Sequence, residues 1–135
     1  MKTTIMFLAT LLFMATAGAD DPRKTVDELK MIFVKMGEAR IEGVEKSGDI
    51  IAPVIYFGKH KINNSFTVVD KIKKTSGAYS TVFVKDGNEF IRISTNVLTP
   101  RGVRGVGTKL AHNQAYSAAI KGEVYCGEID ILGNS

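Results

Sequence analysis

Arg92 is the residue whose type and position most clearly point to chemistry. It lies two residues after Phe90, and Phe83 lies in the apolar run on the other side of a turn. If this stretch of sequence is a β-hairpin, the three side chains share one face, since successive strand residues point to opposite sides. An arginine beside two phenyl rings either reaches solvent from a sheet edge or is covered by other elements. A covered guanidinium needs a partner, which is a carboxylate ligand or an Asp or Glu of the same chain.

Further polar side chains are available to complete a pocket around this arginine. Hydroxyl groups and a second cation would orient a small anion, although each tyrosine fits an ordinary position at the rim of a core equally well. We therefore predict one ligand-binding set, which consists of Arg92, Thr95, Lys109, Tyr116 and Tyr125.

A loop rich in glycine and arginine follows the hairpin, at residues 99–107. It does not match a nucleotide-binding loop, because that motif requires Gly-Lys-Ser/Thr and here Thr108 precedes Lys109. Two alternatives stay open for the loop. Its backbone N–H groups hold a small anion beside Arg101, Arg104 and Lys109, or the loop is a solvated turn.

The sequence contains none of the common catalytic or metal-binding motifs. It has no Gly-x-Ser-x-Gly or Ser-x-x-Lys motif, and its two histidines, His60 and His112, stand far apart. The single cysteine, Cys126, excludes an internal disulfide, and we expect a small buried side chain rather than a reactive thiol. We predict that the protein is not an enzyme and uses no metal or cofactor.

The N-terminus has the features of a secretory signal peptide. Lys2 is followed by an apolar stretch at residues 5–14, and Ala17-Gly18-Ala19 fits the A-x-A cleavage pattern. We predict that residues 1–19 are removed and that residues 20–135 form a single periplasmic or secreted domain. The formal charge of +4 falls by one when Lys2 is lost. This modest excess, without a basic stripe, does not favour nucleic acid as a partner.

Apolar spacing predicts an α+β fold with an antiparallel sheet. We expect a long helix over residues 22–46, an extended edge segment over 50–57, and a short helix over 67–76 that opens with a capping box from Thr67 to Asp70. A hairpin over residues 81–95 turns at Asp86-Gly87, which pairs Phe83 with Phe90. A helix over residues 113–121 and a strand over 124–132 follow.

The second half of the chain resembles a known family at several short motifs: TVF at residues 81–83, IRISTNV at 91–97, GTKL at 107–110 and GEVYCG at 122–127. Together they resemble the single Cache sensor domains of bacteria, of the Cache 3–Cache 2 fusion type. The resemblance implies a PAS-like antiparallel sheet with a long N-terminal helix packed on one face and a ligand pocket on the other. Such domains are extracytoplasmic input modules of chemoreceptors and sensor kinases, and they bind small metabolites without catalysing a reaction.

One departure from the family concerns the sheet. Family members continue past the position of Gly133 into two more strands, so we expect a sheet that lacks its last two strands or is completed by another chain. The leading hypothesis is an exported domain that binds a small organic anion and acts with a membrane receptor or as a homodimer. The alternatives are an assembly subunit that uses an open sheet edge, and a truncated receptor fragment.

Overall fold

A computed structural model describes residues 2–8, 11–16, 21–122 and 125–128. Its helices in these ranges are α1 (Pro22–Met36), α2 (Thr67–Ser76) and α3 (Gln114–Ile120). The strands are β1 (Lys2–Leu8), β2 (Leu11–Thr16), β3 (Ala39–Ser47), β4 (Ile50–Phe57), β5 (His60–Lys61), β6 (Ser80–Asp86), β7 (Glu89–Thr95) and β8 (Tyr125–Glu128). Of the helices in these ranges, none combines the length and the apolar character needed to cross a membrane.

The strands form two antiparallel sheets, so the predicted α+β class is confirmed. The larger sheet has five strands in the order β7-β6-β2-β1-β8, and the smaller one has three in the order β3-β4-β5. One core lies between α1, α2, the small sheet and one face of the large sheet, and a second core lies between the other face and α3. The large sheet therefore separates the two cores.

Helix α1 begins where the sequence indicates and ends ten residues earlier than predicted. The Asp21 side chain accepts a hydrogen bond from the backbone N–H of Arg23 at 2.8 Å, which caps the first turn. The helix ends at Met36 because Gly37 has a φ of 138° and a Cβ there would lie 2.6 Å from the Cα of Gly58. The prediction of helix beyond this point is wrong, since residues 39–47 form β3.

Strand β4 is extended as predicted, but it lies in the middle of the small sheet and not at its edge. Pro53 is tolerated there because β5 pairs only with Tyr56 and Phe57, so no neighbouring strand requires an N–H from Pro53. On that side the Asn63 amide replaces the missing strand: it donates to the carbonyl of Pro53 at 2.8 Å and accepts from the N–H of Ile55 at 2.9 Å.

The predicted hairpin is confirmed as β6 and β7, but its register is shifted. The two-residue turn is Gly87–Asn88, with Gly87 at a φ of 62°, so Asp86 pairs in the ladder and does not lie in the turn. As a result Phe83 lies opposite Arg92 and not opposite Phe90. The predicted faces hold for these three residues, because both rings belong to the second core and the guanidinium lies over the Phe83 ring.

Helices α2 and α3 have the predicted positions. The capping box at the start of α2 is wrong: Phe66 is the N-cap residue and supplies no side-chain hydrogen bond. Helix α3 is capped by Asn113, whose side chain accepts from the N–H of Tyr116 at 3.1 Å. The last predicted strand is described only over Tyr125–Glu128, and its remainder lies outside the described residues.

The N-terminal segment supplies two strands of the large sheet, where the sequence led us to expect two strands to be missing. Strand β2 pairs with β6 from Leu11 opposite Val84 to Ala15 opposite Ser80, and β1 connects β2 to β8. Residues 11–16 are all buried. The predicted cleavage site after Ala19 lies outside the described residues, and removal of the signal peptide stays a prediction.

Candidate functional site

Arg92 lies in β7 with its side chain fully buried, so the structure selects the covered alternative over the solvent-reaching one. Its Nη1 donates to Oγ1 of Thr108 at 2.5 Å, and its Cζ lies 4.6 Å from the centre of the Phe83 ring. The following loop runs along β7 and fixes this arrangement. The N–H of Arg92 donates to the carbonyl of Thr108 at 2.9 Å, and the N–H of Gly107 donates to the carbonyl of Arg92 at 2.8 Å.

Burial makes the charge of Arg92 energetically costly. Desolvation lowers the pKa of its guanidinium to about 10, well below the ordinary value for arginine. The group is still charged at neutral pH, and the lowered pKa corresponds to about 3 kcal/mol of unfavourable free energy for keeping that charge inside the folded protein. An anion bound beside the guanidinium would reduce this cost by pairing with it.

The Phe83 ring that lies against Arg92 belongs to the second core. Beside the two phenyl rings the second core contains small and aliphatic side chains from α3, from the preceding loop and from the N-terminal strands: Ile5, Leu12, Met14, Leu110, Ala115 and Ala119. The site thus consists of a buried cation next to an apolar cluster, a combination found in pockets for small organic molecules.

Two of the predicted binding residues are not brought to the guanidinium. Thr95 is buried, but its Oγ1 is 2.8 Å from Oγ1 of Thr81 and accepts from the N–H of Val97 at 3.0 Å. It lies three residues along β7 from Arg92, a distance of about 10 Å. Lys109 has an exposed side chain, and only its backbone reaches the hairpin, through a bridge to Ile91.

The two predicted tyrosines lie on elements that border the second core. The Tyr116 ring is 6.1 Å from Phe90 and stacks at 3.8 Å on His112, while its hydroxyl donates to the carbonyl of Asn88 at 2.6 Å. Tyr116 is therefore on the same face as Arg92, at the turn end of the hairpin. Tyr125 pairs through its backbone with Ile5 in β1, and its side chain lies outside what the structure describes.

Thr108 is the residue that sequence reasoning missed. Its hydroxyl accepts from Arg92 and donates to the carbonyl of Gly105 at 2.6 Å, so it joins the cation to the glycine-rich loop. The only available signal was its place beside Lys109 in that loop. The contact depends on how the loop folds back onto β7, which no local pattern indicates.

The loop cations do not converge on a common anion. Arg101 and Lys109 are exposed, whereas Arg104 is held by the protein itself: its two terminal nitrogens donate to the two carboxylate oxygens of Asp70, both at 2.8 Å. Arg104 also donates to the carbonyl of Thr95 at 2.9 Å and lies 4.2 Å from the Phe66 ring. Its role is to attach the loop to α2.

We expect Asp70→Asn to weaken the protein modestly at pH 7 and to change its acid sensitivity. Hydrogen bonding from Arg104 lowers the pKa of Asp70 below its ordinary 3.8, so the ion pair stabilises the fold above about pH 4 and is lost as the pH falls through the folded-state pKa. The pair is partly exposed, so we expect a loss below about 1 kcal/mol.

Urea unfolding of wild type and Asp70→Asn between pH 7 and pH 3 measures this effect. The difference between the two proteins should shrink towards acid pH, whereas Asp27→Asn, an exposed position on α1, should show no such convergence. A difference that stays constant over the whole range would contradict the role assigned to this pair.

Other candidate chemical groups are dispersed. In the part of the chain that the structure describes, no three His, Cys, Asp or Glu side chains are placed to hold a metal ion. Cys126 is exposed, so the expectation of a buried thiol is wrong. A cleft of about 390 Å³ is lined by first-core residues such as Phe33 and Val68 together with Lys59 and His60, away from Arg92.

Comparison with protein families gives one match that spans nearly the whole chain. The sequence model described as the Cache 3/Cache 2 fusion domain matches residues 10–135, a range that contains all three helices and the strands from β2 onward. Domains of this kind are extracellular small-molecule sensors of receptors, not enzymes. Comparison with curated proteins and with solved structures gave no significant match.

Proposed function

The chain belongs to the Cache 3/Cache 2 fusion family, and we propose that it is an exported sensory domain that binds a small organic anion through Arg92. The observation that carries this proposal is a fully buried arginine whose pKa is lowered by desolvation, set in an apolar face. A carboxylate accepts two parallel hydrogen bonds from a guanidinium, which makes it the chemically favoured partner.

Two contacts orient the guanidinium of Arg92 towards the second core. Its Cζ lies 4.6 Å from the centre of the Phe83 ring, and its Nη1 donates to Thr108. The apolar body of a bound anion would then lie against the aliphatic side chains of the second core. The end of the ligand away from its charged group would contact Tyr116, whose ring packs on Phe90.

The full proposed binding set keeps the residues predicted from the sequence: Arg92, Thr95, Lys109, Tyr116 and Tyr125. Arg92 is the anchor, and Tyr116 is the second residue because it borders the same core. Thr95 and Lys109 take part only if the ligand extends towards the ends of β7 or if the loop after the hairpin moves, since neither side chain faces the guanidinium in this structure.

We further propose a periplasmic or secreted location, with residues 1–19 acting as the export signal, and a membrane receptor or a second copy of the chain as the protein partner. The apolar stretch behind Lys2 supports export. A receptor or second copy is suggested because sensor domains of this family work as parts of receptors.

A thermal-shift screen of the full chain against organic acids, amino acids and pyrimidines tests the binding proposal. A true ligand at a hundredfold excess over its Kd should stabilise the fold by about 2.7 kcal/mol. Arg92→Met should abolish the shift produced by an anionic ligand. Lys74→Met removes one positive charge from the exposed side of α2 and should leave the shift unchanged.

Two results would overturn the proposal. In the first, the folded protein shows no shift with any compound of the screen. In the second, the anions stabilise wild type and Arg92→Met equally, which would place their binding elsewhere on the surface.

A further inference from the structure

The N-terminal hairpin fills a gap between two strand edges of the large sheet. On one side β2 pairs with β6 over Ser80–Val84, and on the other β1 pairs with β8 over Tyr125–Glu128. Without the hairpin these two edges would face each other across three strand spacings, roughly 14 Å. Both would expose unpaired backbone N–H and C=O groups, which are templates for strand addition.

The gap is apolar on both sides. Leu11, Phe13 and Ala15 point into the first core, where the Phe13 ring stacks 5.9 Å from Phe33 of α1. Leu12 and Met14 point into the second core. A strand that is buried on both faces must be apolar at every position. Only a hairpin whose second strand lacks charged residues, as β2 does, can therefore fill the gap.

The same residues also meet the requirements of a signal peptide, so one segment has the features of an export signal and of two sheet strands. Cleavage after Ala19 would cut the covalent link between the hairpin and α1. The cut would not by itself break the ladders with β6 and β8 or the packing against α1, because these contacts are noncovalent.

We propose that the gap between β6 and β8 is a strand-acceptor site whose occupant is the N-terminal hairpin of this same protein, held after the chain is cut and exchangeable with the hairpin of a second molecule. The site is separate from the anion site, although Ile5, Leu12 and Met14 belong to the same core as Phe83, which contacts Arg92. The proposal does not depend on any ligand.

The test uses the full chain, purified without export, with a specific protease site inserted between Ala19 and Asp20. The uncut protein must melt at the wild-type temperature. After cleavage, size-exclusion chromatography with mass spectrometry should find the N-terminal peptide eluting with the rest of the chain. The melting temperature of the cut protein should fall on dilution, because the hairpin and the domain now associate as two molecules.

Exchange is then measured with an isotope-labelled peptide that covers residues 2–16. The wild-type peptide and its Phe13→Leu variant should replace the bound hairpin. The Phe13→Asp peptide should bind more than about a hundredfold more weakly, because it would bury an unpaired carboxylate.

The proposal is overturned if the cut chain releases the hairpin at micromolar concentration, whether the remainder stays folded or aggregates. It is also overturned if the Phe13→Asp peptide exchanges as well as the wild-type peptide, since the association would then be unspecific.

Discussion

Replacing Phe13 by alanine is expected to lower the free energy of unfolding of the full chain by about 3–5 kcal/mol. The side chain is fully buried in β2, lies opposite Val82 of β6 and stacks on Phe33 of α1. Truncation leaves a cavity where the central strand meets the helix. Because domains of this size are stable by only about 5–15 kcal/mol, this loss is a large part of the total.

Urea unfolding of the full chain checks this prediction, with Phe33→Ala and Met31→Ala as comparisons. Phe33→Ala should lower the free energy of unfolding as much as Phe13→Ala does. The double variant should lower it by less than the sum of the two, because the two rings touch. Met31 is 51% exposed on the same helix, so Met31→Ala should change the free energy of unfolding little. If Phe13→Ala melts like wild type while Phe33→Ala does not, the N-terminal segment has no place in the folded domain.

The elements that the sequence predicted well are those with a local signal. The hairpin follows from two β-rich runs around Asp86 and Gly87, and α3 follows from Asn113 and a short apolar face. The helix predicted beyond Met36 failed because Val44 falls on the helical spacing although it is 68% exposed in β3. Only the close approach of Gly37 to Gly58 explains the end of α1, and that contact joins distant parts of the chain.

The sequence of the N-terminal strands fits two different structures. A short run without charges is what an export signal requires, and it is also what a strand buried on both faces requires. Residues 11–16 meet both descriptions, so composition cannot distinguish them. Only the register with β6, which lies more than sixty residues away along the chain, identifies this run as a central strand.

In the candidate site, too, only the contacts that have a local sequence signal could be predicted. Alternation in β7 placed Arg92 beside Phe83, and this contact is present. The contact with Thr108 depends on a loop that returns to β7 after more than ten residues, so it could not be inferred from spacing. The predicted roles of Thr95 and Lys109 depended on the same unknown loop path.

Replacing Arg92 by methionine is expected to remove a pH dependence of the unfolding free energy in the alkaline range. Burial lowers the folded-state pKa of Arg92 to about 10, so between that value and the higher ordinary pKa of arginine the unfolded chain binds more protons than the folded one. Wild-type stability attributable to this group therefore rises with pH across that interval, by up to about 3 kcal/mol. Methionine keeps an apolar contact with Phe83, and Thr108 keeps its hydrogen bond to Gly105.

The measurement is the difference in unfolding free energy between wild type and Arg92→Met from pH 7 to pH 11. Contributions of groups that are present in both proteins largely cancel in this difference. Wild type should gain stability relative to Arg92→Met above about pH 10, whereas Arg101→Met, which changes an exposed arginine, should show no such trend. If the difference between wild type and Arg92→Met stays constant from pH 7 to pH 11, burial does not lower the pKa of Arg92 and the anion proposal loses this support.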